Sequence, residues 1–409
     1  MSQSAMPAKR GLAGVAEARA TMLAAVKALD SETAPLEEAL GRVLAAAVSA
    51  ARNQPPFAAS AMDGYALRSA DAPGRLKLIG ESAAGRGFVG RCETGTIIRI
   101  STGAPMPDGA DTIVIQEDAT REGDEVIVPA AAPGSYIRPR GGDFKTGAVL
   151  LPAGRRLDGV ALGLAAAAGA AMLPVVRRPR VTILSSGDEL AAPGTAPGPF
   201  QIYDSATYGI AALIQSWGGE PRRLAIERDD AQAIARAAQQ GLEDSDLLVV
   251  LGGASVGDHD HAKPALLRLG LQIAVEKIAV RPGKPAWFGT TPLGPVLGLP
   301  GNPASALVCA CIFLRPLIEA MLGRDPAACT AFRRAHLVQS LPANGPREHY
   351  LRAHVGSDGD GRLTAQAFEN QDSSLLSVFS AANGFIRLAP DEPARDAGAV
   401  VDILLLDAL

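Results

Sequence analysis

The chain has 409 residues, of which 47% are hydrophobic and 20% are charged. A domain size of roughly 150 residues predicts two to four domains, and this composition excludes a wholly disordered protein. The 39 Lys and Arg residues against 43 Asp and Glu residues give a net charge of −4. That balance argues against a protein that coats nucleic acid electrostatically, so an anionic ligand requires a local pocket.

The cysteines and the N-terminal segment indicate the compartment. Four cysteines are too few and too unevenly spread for a disulfide framework, and no CxxC pair indicates zinc or redox chemistry. Residues 1–20 contain no apolar run like that of a signal peptide. The apolar stretch 160–176 is interrupted by Gly163 and Pro174, which favours a buried helix over a membrane span. We therefore expect a cytoplasmic protein without a membrane partner.

The first third of the chain mixes helical and strand patterns. Apolar residues recur at helical spacing between residues 15 and 51, so this segment is predicted to be helical. Short β-rich runs such as Thr96–Ile100 and Thr112–Ile115 follow, separated by Gly, Pro and Asp turns. The helical pattern returns from Asp158 to Met172. We therefore expect a small β-rich module inserted into the first domain.

Strands and helices alternate from about Arg180 onward, as in βαβ units. The predicted strands are Val181–Leu184, Arg223–Ile226 and Leu247–Leu251, with predicted helices Ala206–Trp217 and Ala231–Leu242 between them. Strands that are apolar throughout fit a parallel sheet covered on both faces, with ligands beyond the carboxyl ends of the strands. A last helix is predicted at Pro303–Leu322. Short strands such as Ala335–Val338 and Val400–Leu405 then predict a C-terminal β domain.

A glycine-rich loop directly follows the predicted strand 247–251. Gly252, Gly253 and Gly257 let backbone N–H groups approach phosphate closely, and Ser255 adds a hydroxyl donor. Alone, this pattern also fits an ordinary turn. The next residues, 258–261, place Asp and His side chains beside the loop. They predict either a divalent cation site or a solvated polar loop.

A second segment carries three cations, Lys277, Arg281 and Lys284. Two prolines restrict the loop around Gly283, so Arg281 and Lys284 are held in place. Surface cations often have no specific function, but cations fixed in this way immediately after a strand suit a polyanion.

A third segment, Pro300, Gly301, Asn302 and Pro303, follows an apolar strand and precedes the last helix. Asn302 suits an N-cap and Pro303 suits the first turn, so helix N–H groups would face an anion at the edge of the sheet. By itself this motif fits a well-capped helix. Together with the glycine loop it indicates a phosphorylated ligand.

Carboxylates collect near the starts of loops, at Asp63, Asp143, Glu189 and Asp230. So many acids around a phosphate pocket would repel the ligand unless a metal intervenes. Mg²⁺ held by one or two carboxylates and by phosphate oxygens resolves that conflict. Each acid taken alone is also compatible with a helix cap or a surface charge.

Six motifs occur in one order along the chain. They are Met62-Asp63-Gly64-Tyr65-Ala66, Ser101-Thr102-Gly103-Ala104-Pro105, Ser186-Gly187-Asp188-Glu189-Leu190, Gly252-Gly253-Ala254-Ser255-Val256-Gly257, Arg281-Pro282-Gly283-Lys284-Pro285 and Leu299-Pro300-Gly301-Asn302-Pro303. From about Val15 to its C-terminus, the sequence resembles the bacterial MoeA type of molybdopterin molybdenumtransferase, a family similar to the gephyrin E-domain.

The resemblance implies the fold class: a multi-domain α/β and β protein with elongated, four-domain subunits that form a homodimer. Domain I is expected at residues 1–51 and 141–178, and the inserted β-rich domain II at 52–140. The α/β molybdopterin-binding domain III is expected at 179–327 and the barrel-like β domain IV at 328–409. The active site would lie between domain III and domain II of the other subunit.

The resemblance also implies a reaction. Adenylated molybdopterin and molybdate give molybdenum cofactor and AMP, with Mg²⁺ assisting cleavage of the phosphoanhydride. The molybdopterin adenylyltransferase that makes the adenylated substrate is an implied partner. Two alternatives stay open: the adenylyltransferase itself, which resembles domain III alone, and a non-enzymatic scaffold of the gephyrin kind.

Site residues follow from the resemblance, motif by motif. The implied catalytic residues are Asp63, Asp143, Glu189, Asp230 and Asp260, and the last three are also the implied metal ligands. The implied substrate-binding residues are Thr102, Gly252, Gly253, Ser255, Gly257, Lys277, Arg281, Lys284, Pro300, Gly301, Asn302, Pro303, Arg352 and Ser373.

Overall fold

The computed structural model describes residues 12–252 and 261–406. The predicted site residues Gly253, Ser255, Gly257 and Asp260 therefore lie outside the described residues. Contacts divide the chain into two compact units, one formed by residues 33–175 and the other by the segments on either side. The finer division into four domains stays a prediction.

The first part of the chain contains two α-helices, short 3-10 helices at Leu36–Glu38, Ser69–Asp71 and Gln116–Asp118, and many short strands. The α-helices and strands are labelled here. In chain order these are α1 (Val15–Leu23), β1 (Ser31–Pro35), β2 (Val48–Ser49), β3 (Ala59–Ser60), β4 (Gly64–Leu67), β5 (Gly74–Ser82), β6 (Thr96–Ile100), β7 (Thr112–Ile115), β8 (Thr120–Glu122), β9 (Glu125–Val128), β10 (Ile137–Arg138), β11 (Val149–Leu151), α2 (Gly159–Ala167) and β12 (Met172–Val176).

The predicted helical segment 15–51 is wrong beyond Leu23, where α1 ends. Gly41 has a φ of +74°, a left-handed conformation that interrupts a helix. Leu44 and Val48 are nevertheless buried, in the same core cluster as residues of α2. Their spacing therefore reflected burial and not helix formation.

The unit formed by residues 33–175 is built around a six-stranded sheet, in the order β7-β4-β6-β5-β9-β8. The strands predicted at Thr96–Ile100 and Thr112–Ile115 are confirmed as β6 and β7. The predicted return to helix is confirmed by α2, whose N-cap Asp158 accepts a hydrogen bond from the backbone of Ala161. Outside the sheet, β2 pairs with β11.

The following segment alternates strands and helices. In chain order these are β13 (Arg180–Ser185), β14 (Leu190–Ala191), β15 (Ile202–Tyr203), α3 (Ala206–Ser216), β16 (Glu220–Arg223), α4 (Ala231–Glu243), β17 (Leu247–Leu251), α5 (Ala262–Leu267), β18 (Gln272–Val275), β19 (Val280–Arg281), β20 (Trp287–Thr291), β21 (Gly294–Leu299), α6 (Pro303–Cys309) and α7 (Arg315–Met321).

Six of these strands form one sheet in the order β16-β13-β17-β21-β20-β18. The first four are parallel, as predicted, so their carboxyl ends lie at one edge. The strand predicted at Arg223–Ile226 is displaced, because β16 ends at Arg223. The sheet's core contains Leu184, Leu248, Val250 and Val296, all fully buried.

The predicted last helix is confirmed as α6 and α7, joined by a π-helical turn at Ala310–Leu314. Over Pro303–Met321 it is long and apolar enough to cross a membrane, but 89% of its most apolar window is buried inside the protein. Its apolarity is therefore that of a core helix.

The C-terminal segment forms the predicted β domain. Its elements are β22 (Arg333–Leu337), β23 (Glu348–Ser357), β24 (Leu363–Ala367), α8 (Leu376–Ala381), β25 (Gly384–Leu388) and β26 (Val400–Leu405). The sheet order is β19-β23-β24-β22-β26-β25, and β25 also pairs with β23, so the sheet closes into a barrel. The short strand β19 joins this barrel and places Arg281 opposite His349.

The packing of Trp287 against Gly298 provides a test of the α/β core. A Cβ atom at Gly298 would overlap the indole ring of the fully buried Trp287. We expect Gly298→Ala to lower the free energy of unfolding by about 1–3 kcal/mol, as overpacking does. Gly345→Ala is the control, because a Cβ there meets nothing within 4 Å. Urea denaturation of both variants measures the difference, and equal stability would contradict this packing.

Candidate functional site

The glycine loops after β17 and β21 meet at the carboxyl edge of the parallel sheet. A Cβ atom at Gly301 would lie 3.6 Å from Cα of Gly252. Gly252 has a φ of +84°, and a Cβ there would lie 2.9 Å from the carbonyl oxygen of Ser186. These two predicted substrate-binding residues therefore form one surface where backbone, unscreened by side chains, can contact a ligand.

We call the surface formed by Gly252 and Gly301 the glycine edge. A small cavity of about 40 Å³ opens there. Its lining includes Gly252, Gly301, Pro303, Glu189 and Ser185. The Ser185 residue is 2% exposed, and its hydroxyl has no hydrogen-bond partner among the described residues. Because buried hydroxyls are normally paired, this one is suited to an oxygen atom of a ligand. Sequence reasoning missed Ser185, although its position at the end of an apolar strand was a usable signal.

Two of the predicted metal ligands, Glu189 and Asp230, lie within the described residues, and the surroundings of their carboxylates differ. Glu189 is exposed, and one of its carboxylate oxygens lies 2.6 Å from where a Cβ at Gly187 would be. Asp230 is the N-cap of α4, and its Oδ1 accepts hydrogen bonds from the backbone of Gln232 at 2.9 Å and Ala233 at 2.7 Å. The Ala233 hydrogen bond is the main reason that the pKa of Asp230 lies below its usual value.

Within the described residues, no group of three or more His, Cys, Asp and Glu side chains is arranged to hold a metal. The third predicted ligand, Asp260, lies outside them. The magnesium site therefore stays a prediction.

A larger cavity of about 670 Å³ adjoins the glycine edge and shares Leu190 and Asp204 with the small cavity. Its other polar lining residues are Asp188, Gln201, Arg223, Glu227 and Arg228. No sequence motif indicated this cavity, because its residues come from three separate loops.

The loop after β21 contacts the C-terminal barrel domain. The Asn302 side chain donates a hydrogen bond to the Ser373 hydroxyl at 2.9 Å. Asn302 occupies the predicted N-cap position of α6, although its side chain makes no capping hydrogen bond. Pro303 does occupy the first turn, as expected. Two predicted substrate-binding residues, Asn302 and Ser373, are therefore in direct contact.

Arg352 lies in β23 and is fully buried. Its Nε donates to Oε1 of Gln371 at 3.2 Å, and its Nη1 donates to the carbonyl of Leu375 at 3.2 Å. The Nη2 group has no partner among the described residues. Burial lowers the pKa of this guanidinium. Gln371, which the sequence did not indicate, therefore fixes a buried cation with one free donor.

A cavity of about 550 Å³ lies beside this arginine, and Arg281, His349, Gln371 and Asp372 are in its lining. Burial, with smaller contributions from the charges of Arg281, Arg347 and Arg352, lowers the pKa of His349 to about 4. Three arginines therefore act on one side of this cavity, which the carboxylates of Glu369 and Asp372 also line, and we call it the cation pocket.

The other two predicted cations, Lys277 and Lys284, contact their neighbours through the backbone. The Lys277 carbonyl accepts from Ala13, and the Lys284 carbonyl accepts from Ile278. Among the residues that the structure describes, neither ammonium group has a hydrogen-bond or ion-pair partner. Of the three predicted cations, only Arg281 lines the cation pocket.

In the unit formed by residues 33–175, the structure brings Asp63 and Thr102 together. Oδ1 of Asp63 accepts hydrogen bonds from the Thr102 backbone at 2.6 Å and its hydroxyl at 3.0 Å. These hydrogen bonds lower the pKa of Asp63, so the carboxylate is ionised at neutral pH. Asp143 lies exposed in a turn, with its backbone N–H donating to the carbonyl of Gln54.

The fold and the site can be compared with known proteins. Residues 182–320 match the model of a probable molybdopterin binding domain, the class of α/β domain to which this sheet belongs. Residues 13–169 match the MoeA N-terminal region, domains I and II, and residues 334–406 match the MoeA C-terminal region, domain IV.

Curated relatives and solved structures agree with these matches. A molybdopterin molybdenumtransferase from Nostoc is 36% identical, over 79% of this chain and 76% of its own length. Another, from Haemophilus influenzae, is 34% identical, over 90% of this chain and 92% of its own length. Two crystal structures of the molybdopterin biosynthesis protein MoeA from Pyrococcus horikoshii are also similar to this chain. One has a TM-score of 0.84 at 28% identity and covers 98% of this chain. The other has a TM-score of 0.82 at 26% identity and covers 97% of this chain, and each match spans 100% of the known structure. The chain belongs to the molybdopterin molybdenumtransferase family, transferases of molybdenum cofactor biosynthesis.

The low pKa of His349 predicts a pH dependence of stability. The folded protein protonates His349 only near pH 4, whereas the unfolded chain binds that proton near the ordinary pKa of 6.5. The stabilising effect is therefore complete above pH 6.5 and is lost as the pH falls toward 4. We expect His349→Gln to flatten the decrease in unfolding free energy across this range.

The control for this measurement is His354→Gln, since His354 lies exposed on the same strand. Urea denaturation at neutral and at mildly acidic pH gives the slopes. An unchanged slope in His349→Gln would show that the His349 ring titrates normally.

Proposed function

We propose that this enzyme inserts molybdate into adenylated molybdopterin, releasing molybdenum cofactor and AMP. The observation that carries the proposal is the hydrogen bond between Asn302 and Ser373. This hydrogen bond joins the loop after β21, at the glycine edge, to the barrel segment next to the cation pocket. The glycine edge suits phosphate, and the cation pocket suits an oxyanion. A phosphorylated pterin and molybdate can therefore occupy neighbouring sites in one subunit.

The glycine edge is the proposed site of the substrate's diphosphate. Backbone at Gly252 and Gly301 and the unpaired hydroxyl of Ser185 supply contacts for phosphate oxygens. The sequence adds Gly253, Ser255 and Gly257 directly after Gly252. Pro300 and Pro303 restrict the second loop, so its backbone is ordered before the ligand binds.

The cation pocket is the proposed site of molybdate, a tetrahedral dianion. Arg281 lines the pocket, and the buried Arg352 lies close enough for its charge to act on His349 in the same lining. Ser373 offers a hydroxyl nearby. Lys277 and Lys284 add positive charge close to Arg281 in the sequence. Guanidinium groups suit oxyanions because they donate parallel hydrogen bonds.

Magnesium is the proposed cofactor, and the donor chemistry fits it. Glu189 is an exposed carboxylate at the glycine edge, and Asp230 keeps its Oδ2 outside the helix-capping hydrogen bonds. These two residues and Asp260 would hold the ion together with phosphate oxygens. When bound, Mg²⁺ would offset negative charge on the phosphoanhydride.

This chain's own residues would then act through position and charge. Arg281 and Arg352 hold molybdate, and the glycine edge orients the diphosphate, so that the two reactants meet without reorganisation of the site. No serine or cysteine nucleophile is required. This agrees with the raised pKa of the buried Cys309 and Cys311, which keeps both thiols protonated.

The remaining predictions concern assembly and compartment. We propose a homodimer in which Asp63, Thr102 and Asp143 of one subunit serve the active site of the other. The adenylyltransferase that supplies the substrate is the proposed partner enzyme. The four cysteines are free thiols, which supports the proposed cytoplasmic compartment.

Replacing Arg281 tests the molybdate site. We expect Arg281→Ala to reduce molybdate-dependent AMP release by roughly tenfold or more, the effect of losing one hydrogen bond to a charged group. The loss should appear mainly as a higher molybdate concentration at half-saturation. Arg362→Ala is the control, because Arg362 is exposed and lies 3.9 Å from Asp360. If the molybdate concentration at half-saturation is unchanged in Arg281→Ala, Arg281 does not bind molybdate.

Replacing Glu189 and Asp260 tests the magnesium site. Glu189→Gln and Asp260→Ala each remove a negative ligand, so we expect lower AMP release and a higher magnesium requirement. Glu220→Gln is the control, because Glu220 lies at the amino end of β16, away from the carboxyl ends where the glycine loops meet. Magnesium titrations with adenylated molybdopterin and molybdate give both quantities. Full activity in both variants would exclude the proposed metal role.

A further inference from the structure

The loop that carries Arg281 and Lys284 rests on helix α6. Gly283, between these two cations, is buried, whereas Arg281 and Lys284 are exposed. A Cβ atom at Gly283 would overlap Sγ of Cys309, the last residue of α6, and would lie 3.2 Å from Cγ1 of Val280. The loop therefore turns its two cations outward and its glycine onto the helix.

The contact between Gly283 and Cys309 is closely packed. Cys309 and Val280 are both fully buried, and Gly283 has a φ of +121°, which favours glycine. Because protein interiors are as dense as organic crystals, a side chain at such a point can grow only by displacing its neighbours. A larger side chain at position 309 would therefore push the loop away from α6.

Backbone hydrogen bonds make this loop a stiff unit. The Gly283 carbonyl accepts from the N–H of Ala286 at 2.9 Å, and the Lys284 carbonyl accepts from the N–H of Ile278 at 3.1 Å. A proline follows each of the two exposed cations and restricts the backbone there. A displacement at Gly283 is therefore passed on to the cations on either side of it.

The same helix also borders the glycine edge. It begins at Pro303, which lines the small cavity together with Gly252 and Gly301. Cys309 lies six residues further along α6, a distance of roughly 9 Å at the rise of an α-helix. One helix therefore carries both a wall of the proposed diphosphate site and the support of the cation loop.

We propose that Cys309 is a positioning residue, which sets the distance of Arg281 and Lys284 from the glycine edge by packing on Gly283. This inference rests on the proposed function, in which these cations act on molybdate and the glycine edge binds the diphosphate. A buried thiol behaves as a small, polarizable apolar group, so it supports the glycine backbone without needing a polar partner. The spacing of the two reactants, on which a positioned reaction depends steeply, is then set from inside the domain.

Cys311 provides the matched control. It is also buried, two residues further along the same continuous helical segment. No atom of Cys311 lies within 4 Å of a Cβ built at Gly283. Besides burial, the charges of Arg315 and Cys329 act on the pKa of Cys311, so this thiol faces a different region. One substitution made at both cysteines therefore changes the packing with and without contact to the cation loop.

The experiment measures AMP release against molybdate concentration for the full-length unmodified protein, Cys309→Leu, Cys309→Ser and Cys311→Leu. We expect Cys309→Leu to raise the molybdate concentration at half-saturation by roughly tenfold, because displaced cations lose a hydrogen bond to a charged group. Cys309→Ser, which keeps the size of the side chain, and Cys311→Leu should respond like the unmodified protein. Loss of folded protein lowers the maximal rate but not the concentration at half-saturation, so the two quantities separate positioning from stability.

A pair of substitutions tests the contact from the loop side, and it serves if Cys309→Leu does not fold. Gly283→Ala introduces the overlapping Cβ, and Cys309→Ala removes the Sγ that this Cβ meets. We expect Gly283→Ala to raise the molybdate concentration at half-saturation and an added Cys309→Ala to restore it in part, since the positive φ strains alanine whatever the space. An added Cys311→Ala should restore nothing.

Other outcomes overturn the assignment. An unchanged half-saturation in Cys309→Leu, or an equal increase in both leucine variants, would refute the positioning role and leave the proposed function intact. If Cys309→Ala restores nothing in the Gly283→Ala protein, the thiol does not determine where the loop lies. Absence of molybdate-dependent AMP release from the unmodified protein would refute the proposed function and this inference together.

Discussion

Parallel pairing of β13, β17 and β21 is the constraint on which the site depends. Ser185 lies opposite Leu251, and Leu251 lies opposite Leu299, so three strands end in register at one edge. The loops that follow carry Glu189, Gly252 and Gly301. Because residues so far apart in sequence meet only through this register, a shift of one strand would separate the glycine loops and reverse which face each side chain occupies.

A second constraint places the cations. After β18 the chain leaves the α/β sheet, and the short strand β19 pairs with β23 of the barrel. Arg281 therefore belongs to the barrel sheet although its sequence neighbours belong to the α/β domain. The same strand β23 contains Arg352, which Gln371 fixes through its side chain. The cation pocket thus depends on the short strand β19, which follows the α/β segment in sequence but pairs with the barrel sheet.

The sequence predicted the parts of the fold that depend on local patterns. Thr96–Ile100, Leu247–Leu251 and the last helix were found because continuous apolar runs and alternation reflect burial directly. The segment after Leu23 was misassigned because buried residues at spacings of three and four also occur where a chain winds irregularly over a core. Gly41 was the local signal against a helix.

The candidate site was predictable only in part, for a related reason. Motifs identified Gly252, Gly301 and Arg281, since glycine and proline patterns reveal backbone requirements. The N-cap position of Asn302 was predicted, but its side-chain contact was not, because its partner, Ser373, is remote in sequence. Gln371 and Cys309 were missed because each makes a tertiary contact that no local spacing records. Family resemblance identified Arg352, whereas its burial and its free donor required the fold.

In the proposed function, charge gives a reason for separate sites, a diphosphate site at the sheet edge and an oxyanion site beside the barrel. Two unit charges of the same sign about 4 Å apart repel by about 4 kcal/mol at an effective dielectric constant near 20, so a dianion and a diphosphate resist close approach. The guanidinium groups of Arg281 and Arg352 would offset that repulsion in the proposed site. Arg352 is held with one buried donor unpaired, at a cost of about 1–3 kcal/mol, and an oxyanion that accepts from this donor recovers the cost on binding.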